Sequence, residues 1–192
     1  MKKGIFRKVL IAVPAALALL AGVIVTRPAT FHYERSITIA SPPEGVFAQV
    51  NDFHAWAGWS PYDKLDPQMK RTYEGPSAGS GAKYAWSGNH QVGEGAMTIE
   101  RSDAPSQIVI RLDFVKPMEA TNMATFTFAK APEGTKVTWA MDGKNTFLGK
   151  AASLVLDMEK LVGSDFERGL VALKAQAEAA SNASAHASNL AP

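Results

Sequence analysis

The sequence predicts an α+β domain: a curved antiparallel sheet wrapped around a long C-terminal helix, with two short helices after the first strand and one transmembrane helix ahead of the domain. Three observations carry this. Residues 9–25 form an uncharged apolar run behind four bases. Residues 69–142 hold six segments, several of clearly alternating polarity, with Gly, Pro, Asn or Asp at the joints, the pattern of strands that bury one face. Residues 148–178 repeat apolar side chains every three or four positions, the period of a helix that buries one stripe. A sheet with one apolar face and a helix with one apolar stripe can cover each other.

Composition narrows the function classes. The 192 residues are 46% hydrophobic and 20% charged, with no cysteine. This is globular composition without a disulfide framework, a thiolate nucleophile or a Cys-ligated metal. Lys and Arg number 20 against 18 Asp and Glu. Lys2, Lys3, Arg7 and Lys8 stand at the N-terminus, so the remainder is slightly acidic. A nucleic-acid binder carries a basic stripe on its folded part, and no such stripe is present.

Residues 1–30 read as a membrane anchor or signal segment. The apolar run Val9 to Val25 is 17 residues, which as a helix spans roughly 25 Å against a hydrocarbon core of about 30 Å. Ile5 and Phe6 extend it if Arg7 and Lys8 snorkel. Ala16-Leu17-Ala18 is a small-residue cleavage pattern, but it lies inside the run, and Arg27 and Pro28 spoil a later one. An uncleaved single-pass anchor and a cleaved signal peptide are both open readings. Bases ahead of the span keep the N-terminus cytoplasmic, which places residues 31–178 outside the cytoplasmic (inner) membrane, in the periplasm of a Gram-negative cell.

The folded body follows in order. Tyr33–Ala40 alternates with β-branched residues, as a strand does. Ser41-Pro42-Pro43-Glu44 reads as a helix start with Ser41 as N-cap, and Val46, Phe47 and Val50 give the helix its apolar face. Phe53–Trp59 reads as a second short helix, ended by Ser60-Pro61. Strands are expected at Met69–Tyr73, Ala82–Ser87, Gln91–Arg101, Gln107–Val115, Met118–Lys130 and Thr135–Asp142. In the fourth of these, Ile108, Ile110, Leu112 and Phe114 share a face. Leu148–Glu178 reads as one long helix, with a break before Leu154 as an alternative. Gly163 and Gly169 inside it each cost about 1 kcal/mol against Ala, which close packing on the sheet would justify. Residues 179–192 are Ala/Ser/Asn-rich and are expected to be a disordered tail.

Catalytic signatures are sparse. The four histidines lack metal-ligand spacing, there is no G-x-S-x-G, and Gly79-Ser80-Gly81 precedes a strand rather than a helix, which suits a turn. Asn89, His90, Glu94, Glu100, Asp113 and Asn122 are the candidate polar residues for a site. Parity puts Glu100 and Asp113 on the outer face and Asn122 on the inner one. Asp52, Asp63, Lys64 and Asp66 read as a solvated loop.

Four strings resemble one known family. Ile39-Ala40-Ser41-Pro42-Pro43-Glu44-Gly45-Val46-Phe47 is similar to its opening of the first helix. Trp56-Ala57-Gly58-Trp59-Ser60-Pro61 is similar to its W-x-x-W-S-P end of the second. Thr135-Lys136-Val137-Thr138-Trp139 resembles its last strand, and Phe166–Lys174 resembles the end of its long helix. The family is the SRPBCC, or polyketide cyclase/dehydrase, superfamily of helix-grip (START- and Bet v 1-like) folds. The resemblance covers about Tyr33 to Glu178. It implies a cavity between sheet and C-terminal helix. Onto that frame the candidate ligand-binding residues are Trp56 and Trp59 near the mouth, Tyr84, Trp86, Met97, Leu112, Phe114, Asn122, Trp139 and Met141 on the sheet, and Met158, Val162 and Phe166 on the helix. An aromatic- and Met-rich lining suits an apolar ligand, and a filled core would have the same character.

The expected function is non-catalytic binding of a hydrophobic small molecule or lipid, without a metal or other cofactor, by a domain tethered to the membrane through the N-terminal helix. A cyclase-, dehydrase- or hydrolase-like enzyme using the same cavity is the alternative. A third reading is an envelope interaction module that docks through a Trp56/Trp59 surface.

Overall fold

The computed structural model describes residues 2–190, with side chains described from residue 13 onward apart from 185 and 187–190. Helix α1 spans Lys2–Thr26, and after three intervening residues β1 runs from Thr30 to Ile39. Helix α2 (Pro43–Asn51), a 3-10 turn (Phe53–Ala55) and the single turn α3 (Trp56–Trp59) follow. Strands β2 (Lys70–Glu74), β3 (Lys83–Ser87), β4 (Glu94–Asp103), β5 (Gln107–Lys116), β6 (Ala120–Ala131) and β7 (Gly134–Lys144) come next, then α4 (Phe147–Ala152) and α5 (Met158–Leu190).

All seven strands form one antiparallel sheet in the order β1-β7-β6-β5-β4-β3-β2. Each neighbour except β1–β7 is joined in sequence, so the sheet is a chain of short connections closed by the first strand. Alternation decides which face is covered. Ile108 and Ile110 on β5, Ala124, Phe126 and Phe128 on β6, and Val137 and Trp139 on β7 are buried. The α5 residues Phe166, Leu170, Leu173 and Ala177 are buried over them.

Polar side chains set the helix on the sheet. Arg35 of β1 donates from Nε to Glu167 at 2.8 Å. Lys174 Nζ donates to the Thr38 carbonyl at 2.9 Å, and the Ala40 amide donates to Glu178 at 2.8 Å. Two glycines allow the close approach. A Cβ at Gly163 would collide with the Arg35 guanidinium, and one at Gly169 would stand 2.8 Å from the Trp139 ring.

Several expectations change. The long C-terminal helix is two: α4 ends at Ala152, and Ser153–Asp157 separates it from α5. Thr146 caps α4 by accepting from the Gly149 amide. The expected disordered tail is helical as far as Leu190, in keeping with the high helix propensity of its alanines. Ser41 is not the N-cap of α2. Pro42 holds that position without a side-chain bond, and the Ser41 hydroxyl lies 2.6 Å from that of Ser181. The expected transmembrane helix is not found: among the described residues, no helix is long and apolar enough to cross a membrane. Residues 9–12 of the apolar run have side chains outside the described residues.

Candidate functional site: an aromatic cavity between sheet and helix

The open end of the domain is defined by strand register. The start of β1 and the end of β7 meet there, Thr30 opposite Lys144, as do the start of β4 and the end of β5, Glu94 opposite Lys116. The β5–β6 connection, the β3–β4 loop and the start of α5 converge on the same end. Between them lies a cavity of about 300 Å³.

Its floor is an aromatic stack. The Trp139 ring lies parallel to Phe166, centroids 4.1 Å apart, and stacks on Phe126 at 4.9 Å. Trp59 meets Trp139 edge-on at 5.8 Å and lies 4.5 Å from Trp56. The far wall is Tyr84 stacked on Trp86 at 6.0 Å, with Phe114 edge-on to Trp86 at 5.8 Å. Ring pairs in these geometries hold one another in place beyond their area burial, so the cavity has stiff walls. The indoles are also tethered. Trp56 and Trp59 donate to the Val50 and Gln49 carbonyls at the C-terminal end of α2, at 2.9 and 3.1 Å. These are carbonyls that a helix end leaves unpaired. Trp86 donates to the Val92 carbonyl at 3.0 Å.

Of the thirteen candidates, the structure brings ten to this cavity: Trp56, Tyr84, Trp86, Met97, Leu112, Phe114, Trp139, Met141, Val162 and Phe166. Three are elsewhere. Trp59 is fully buried beneath the floor. Asn122 faces inward, as parity predicts, but its side chain fills the space over Gly143 of β7. Met158, in the first turn of α5, stands outside the lining. Both Trp56 and Trp59 are buried, at 5% and 0% exposure, so a Trp56/Trp59 docking surface is absent.

Sequence reasoning missed the polar corner. Asp63 is not a solvated loop residue: its carboxylate is 8% exposed and pairs with Arg71 at 2.5 Å. Asp66 is buried and accepts from the Asn89 amide at 2.7 Å and the Gln68 amide at 3.1 Å. The signal available was Arg71 on an alternating strand beside a loop with two acids, Asp63 and Asp66, which requires a fold to interpret. Tyr62, Val92 and Pro117 of the rim were likewise missed because they belong to connections rather than to periodic elements, and Lys116 because it stands at the very end of β5, one residue past the expected strand.

The charges near the cavity are already partnered. Lys116 pairs with Glu94 at 2.9 Å. Glu100 and Asp113 both pair with Arg111 on the outer face, at 3.3 and 2.8 Å. Burial, and next the Asp63 carboxylate, push the Tyr84 phenol well above its ordinary value, with Arg71 opposing. The phenol therefore stays protonated at neutral pH and can donate a hydrogen bond but not act as a base. Tyr84 Oη and Trp139 Nε1 have no partner of hydrogen-bonding geometry. Among the described residues, no group of three or more His, Asp or Glu is placed to hold a metal ion.

A sheet that grips one long helix around an internal apolar cavity defines a ligand-pocket domain of the helix-grip class. The chain belongs to the family described as polyketide cyclase / dehydrase and lipid transport, whose model matches residues 30–178. Solved structures share the fold at low identity. The di-domain ARO/CYC BexL from the BE-7585A biosynthetic pathway aligns with a TM-score of 0.59 and 19% identity, over 91% of this chain and 59% of that one. A protein from Chromobacterium violaceum aligns at 0.54 and 18% identity, over 79% of this chain and 99% of its own. The Aha1 dimer from Colwellia psychrerythraea aligns at 0.55 and 12% identity, over 77% and 96%. No curated protein is significantly similar in sequence.

Proposed function

We propose that the domain binds a hydrophobic small molecule or lipid in this cavity without transforming it, at a membrane surface. The observation that supports binding is the cavity itself: apolar and ring-walled, with every nearby ionisable pair already satisfied. An enzyme acting there would need a free acid or base within reach of the ligand. The Asp63 carboxylate is taken up by the Arg71 guanidinium instead.

The volume of about 300 Å³ is at the lower end of ligand pockets, roughly 300–1,000 Å³. It suits a compact ring system or a single acyl chain better than a two-chain lipid. Location at the membrane rests on the sequence of residues 2–25, four bases followed by an uncharged run.

Native mass spectrometry of the full chain, followed by extraction, tests the binding. The expected result is a co-purified apolar molecule, or uptake of oleate from a lipid panel. Leu112→Trp, which fills the cavity from a half-buried position, is expected to abolish uptake while the far-UV circular dichroism stays unchanged. Uptake that survives Leu112→Trp, or no uptake from any lipid by the folded protein, overturns the reading.

A further inference from the structure

Large apolar side chains crowd the cavity end on the outside as well as the inside. Met118 on the β5–β6 connection, Phe147 and Leu148 on α4, Val155 and Leu156 on the segment before α5, and Leu161 in its first turns are all exposed. Val155 is 82% exposed. Solvent-facing residues of this size, gathered at one end of a domain, mark a contact surface. Strand register puts them on the rim of the cavity: β7 ends at Lys144 and β6 begins at Ala120, three and two residues from Phe147 and Met118.

The same end holds the end of α1. Arg27 donates to the Ser153 carbonyl at 3.1 Å, and Lys150 donates to the Val25 carbonyl at 3.4 Å. Asn145 donates to the Pro28 and Thr30 carbonyls at 3.1 and 3.3 Å. With only residues 27–29 between α1 and β1, the helix cannot swing to the far end of the sheet. Along α1, Val13, Leu17 and Leu20 on one face and Leu19 and Val23 on another are exposed. A helix apolar on more than one face is not at home in water. Rim and helix therefore stand side by side at the open end, joined through the polar contacts of Arg27, Asn145 and Lys150.

We propose that this rim rests on a lipid bilayer, so that the cavity mouth opens toward the acyl chains and an apolar ligand passes between bilayer and cavity without crossing water. The proposal rests on the binding reading above and adds the docked face and its orientation. It requires α1 to enter or lie along the bilayer, not to cross it. A bilayer is the occupant that fits because the exposed apolar rim adjoins α1, a helix apolar on more than one face. The charges beside the rim are mixed, with Lys144, Lys150 and Lys160 interspersed with Glu119, Asp157 and Glu159. The rim thus inserts by burial of apolar surface rather than by attraction to anionic headgroups.

The absence of cysteine makes the test direct. Single cysteines at Met118, at Val155 and, as control, at Glu133 in the β6–β7 turn of the opposite end are labelled with an environment-sensitive fluorophore in the full chain. The protein is reconstituted into phosphatidylcholine vesicles with brominated acyl chains. Labels at 118 and 155 should lose most of their emission, and the label at 133 should keep it. Adding Val155→Asp and Leu156→Asp, both at exposed positions, should restore emission at 118. Equal quenching at all three positions, unquenched rim labels, or failure of the chain to associate with vesicles overturns the proposal. Rim labels shielded only by cross-linking to a second copy overturns it in favour of self-association. Oleate uptake measured on the same samples separates the two readings. Uptake with an unquenched rim removes only the docking, and a quenched rim without uptake removes only the ligand.

Discussion

The two ends of the sheet obey the same alternation and do opposite things with it. Toward the β6–β7 turn, Ile99, Ile108, Phe126 and Val137 meet Leu170 and Leu173 of α5, all at 0–1% exposure. Toward the β5–β6 connection, Leu112, Phe114 and Met141 occupy the same inward parity, yet they remain half-buried around an open volume. The difference lies in the helix. The later turns of α5 bring leucines down onto the strands, with α2 packed beside them. Its first turns bring only Val162 to the lining, and the chain before them leaves the sheet to form α4. Gly169 is the boundary, the point where the helix comes close enough to clamp the Trp139 ring. One end is thus built for stability, and the other is left free for a ligand.

That contrast makes its largest prediction at the closed end. Phe126→Ala removes a fully buried ring and should destabilise the domain by about 3–5 kcal/mol, the usual cost of a core Phe truncation. Chemical unfolding of the full chain measures it. A loss no larger than that of an open-end truncation would erase the distinction between the two ends. Next in size is Gly169→Ala. The added methyl regains about 1 kcal/mol of helix propensity but stands 2.8 Å from Trp139 and 3.1 Å from Pro61. Overpacking of about 1–3 kcal/mol should win, for a net loss near 1 kcal/mol. Near-UV circular dichroism should change as Trp139 and Phe166 part. A more stable Gly169→Ala protein would show that the helix stands off the sheet.

At the open end, Leu112→Ala should cost about 1 kcal/mol or less, because the side chain is only part-buried and already borders a void. Its effect should appear in ligand uptake instead. A cost equal to that of Phe126→Ala would mean that the cavity is closed in solution.

How far the sequence reveals this architecture follows the same divide. The sheet was legible because period-two alternation is a local signal. So was the inward parity of Leu112, Phe114, Trp139 and Met141, and these residues do line the cavity. Gly163 and Gly169 were legible as contact glycines because nothing else explains their cost within a helix. Illegible were the features created by pairs distant in sequence. The burial of Asp63 depends on Arg71 across a turn. The sheltering of Trp59 depends on α2, whose terminal carbonyls draw both indoles inward. The break at Ser153–Asp157 was legible only as the alternative break before Leu154, because Leu154, Val155 and Leu156 keep up the hydrophobic count of one helix while facing outward. That apolar run exposed to solvent is what motivates the docked face.

The smallest effect concerns the polar ties at the edge of the open end. His32 on β1 and Asp142 on β7 stand opposite each other in register, with Nδ1 2.7 Å from the carboxylate. That hydrogen bond, helped by the Asp142 and Glu34 charges and opposed by a little burial, raises the His32 pKa above its ordinary 6.5. A raised folded-state value means that the tie contributes fully below the unfolded pKa and is lost as pH rises through the folded one. Both side chains are more than half exposed, so solvent screening limits the gain to a few tenths of a kcal/mol, at the low end of surface pairs. His32→Gln should therefore lower the unfolding midpoint slightly at about pH 5.5, on the acid side of the ordinary histidine value, and not at all well above the folded value. Amide exchange adds the spatial half of the argument. Raising the pH should lower the protection factors, with the base catalysis common to all amides divided out, near Thr30–His32 and leave those of Ile37–Ile39 unchanged, because burial at the closed end does not titrate. An equal loss of protection along all of β1 would show that the two ends open together, as one cooperative unit.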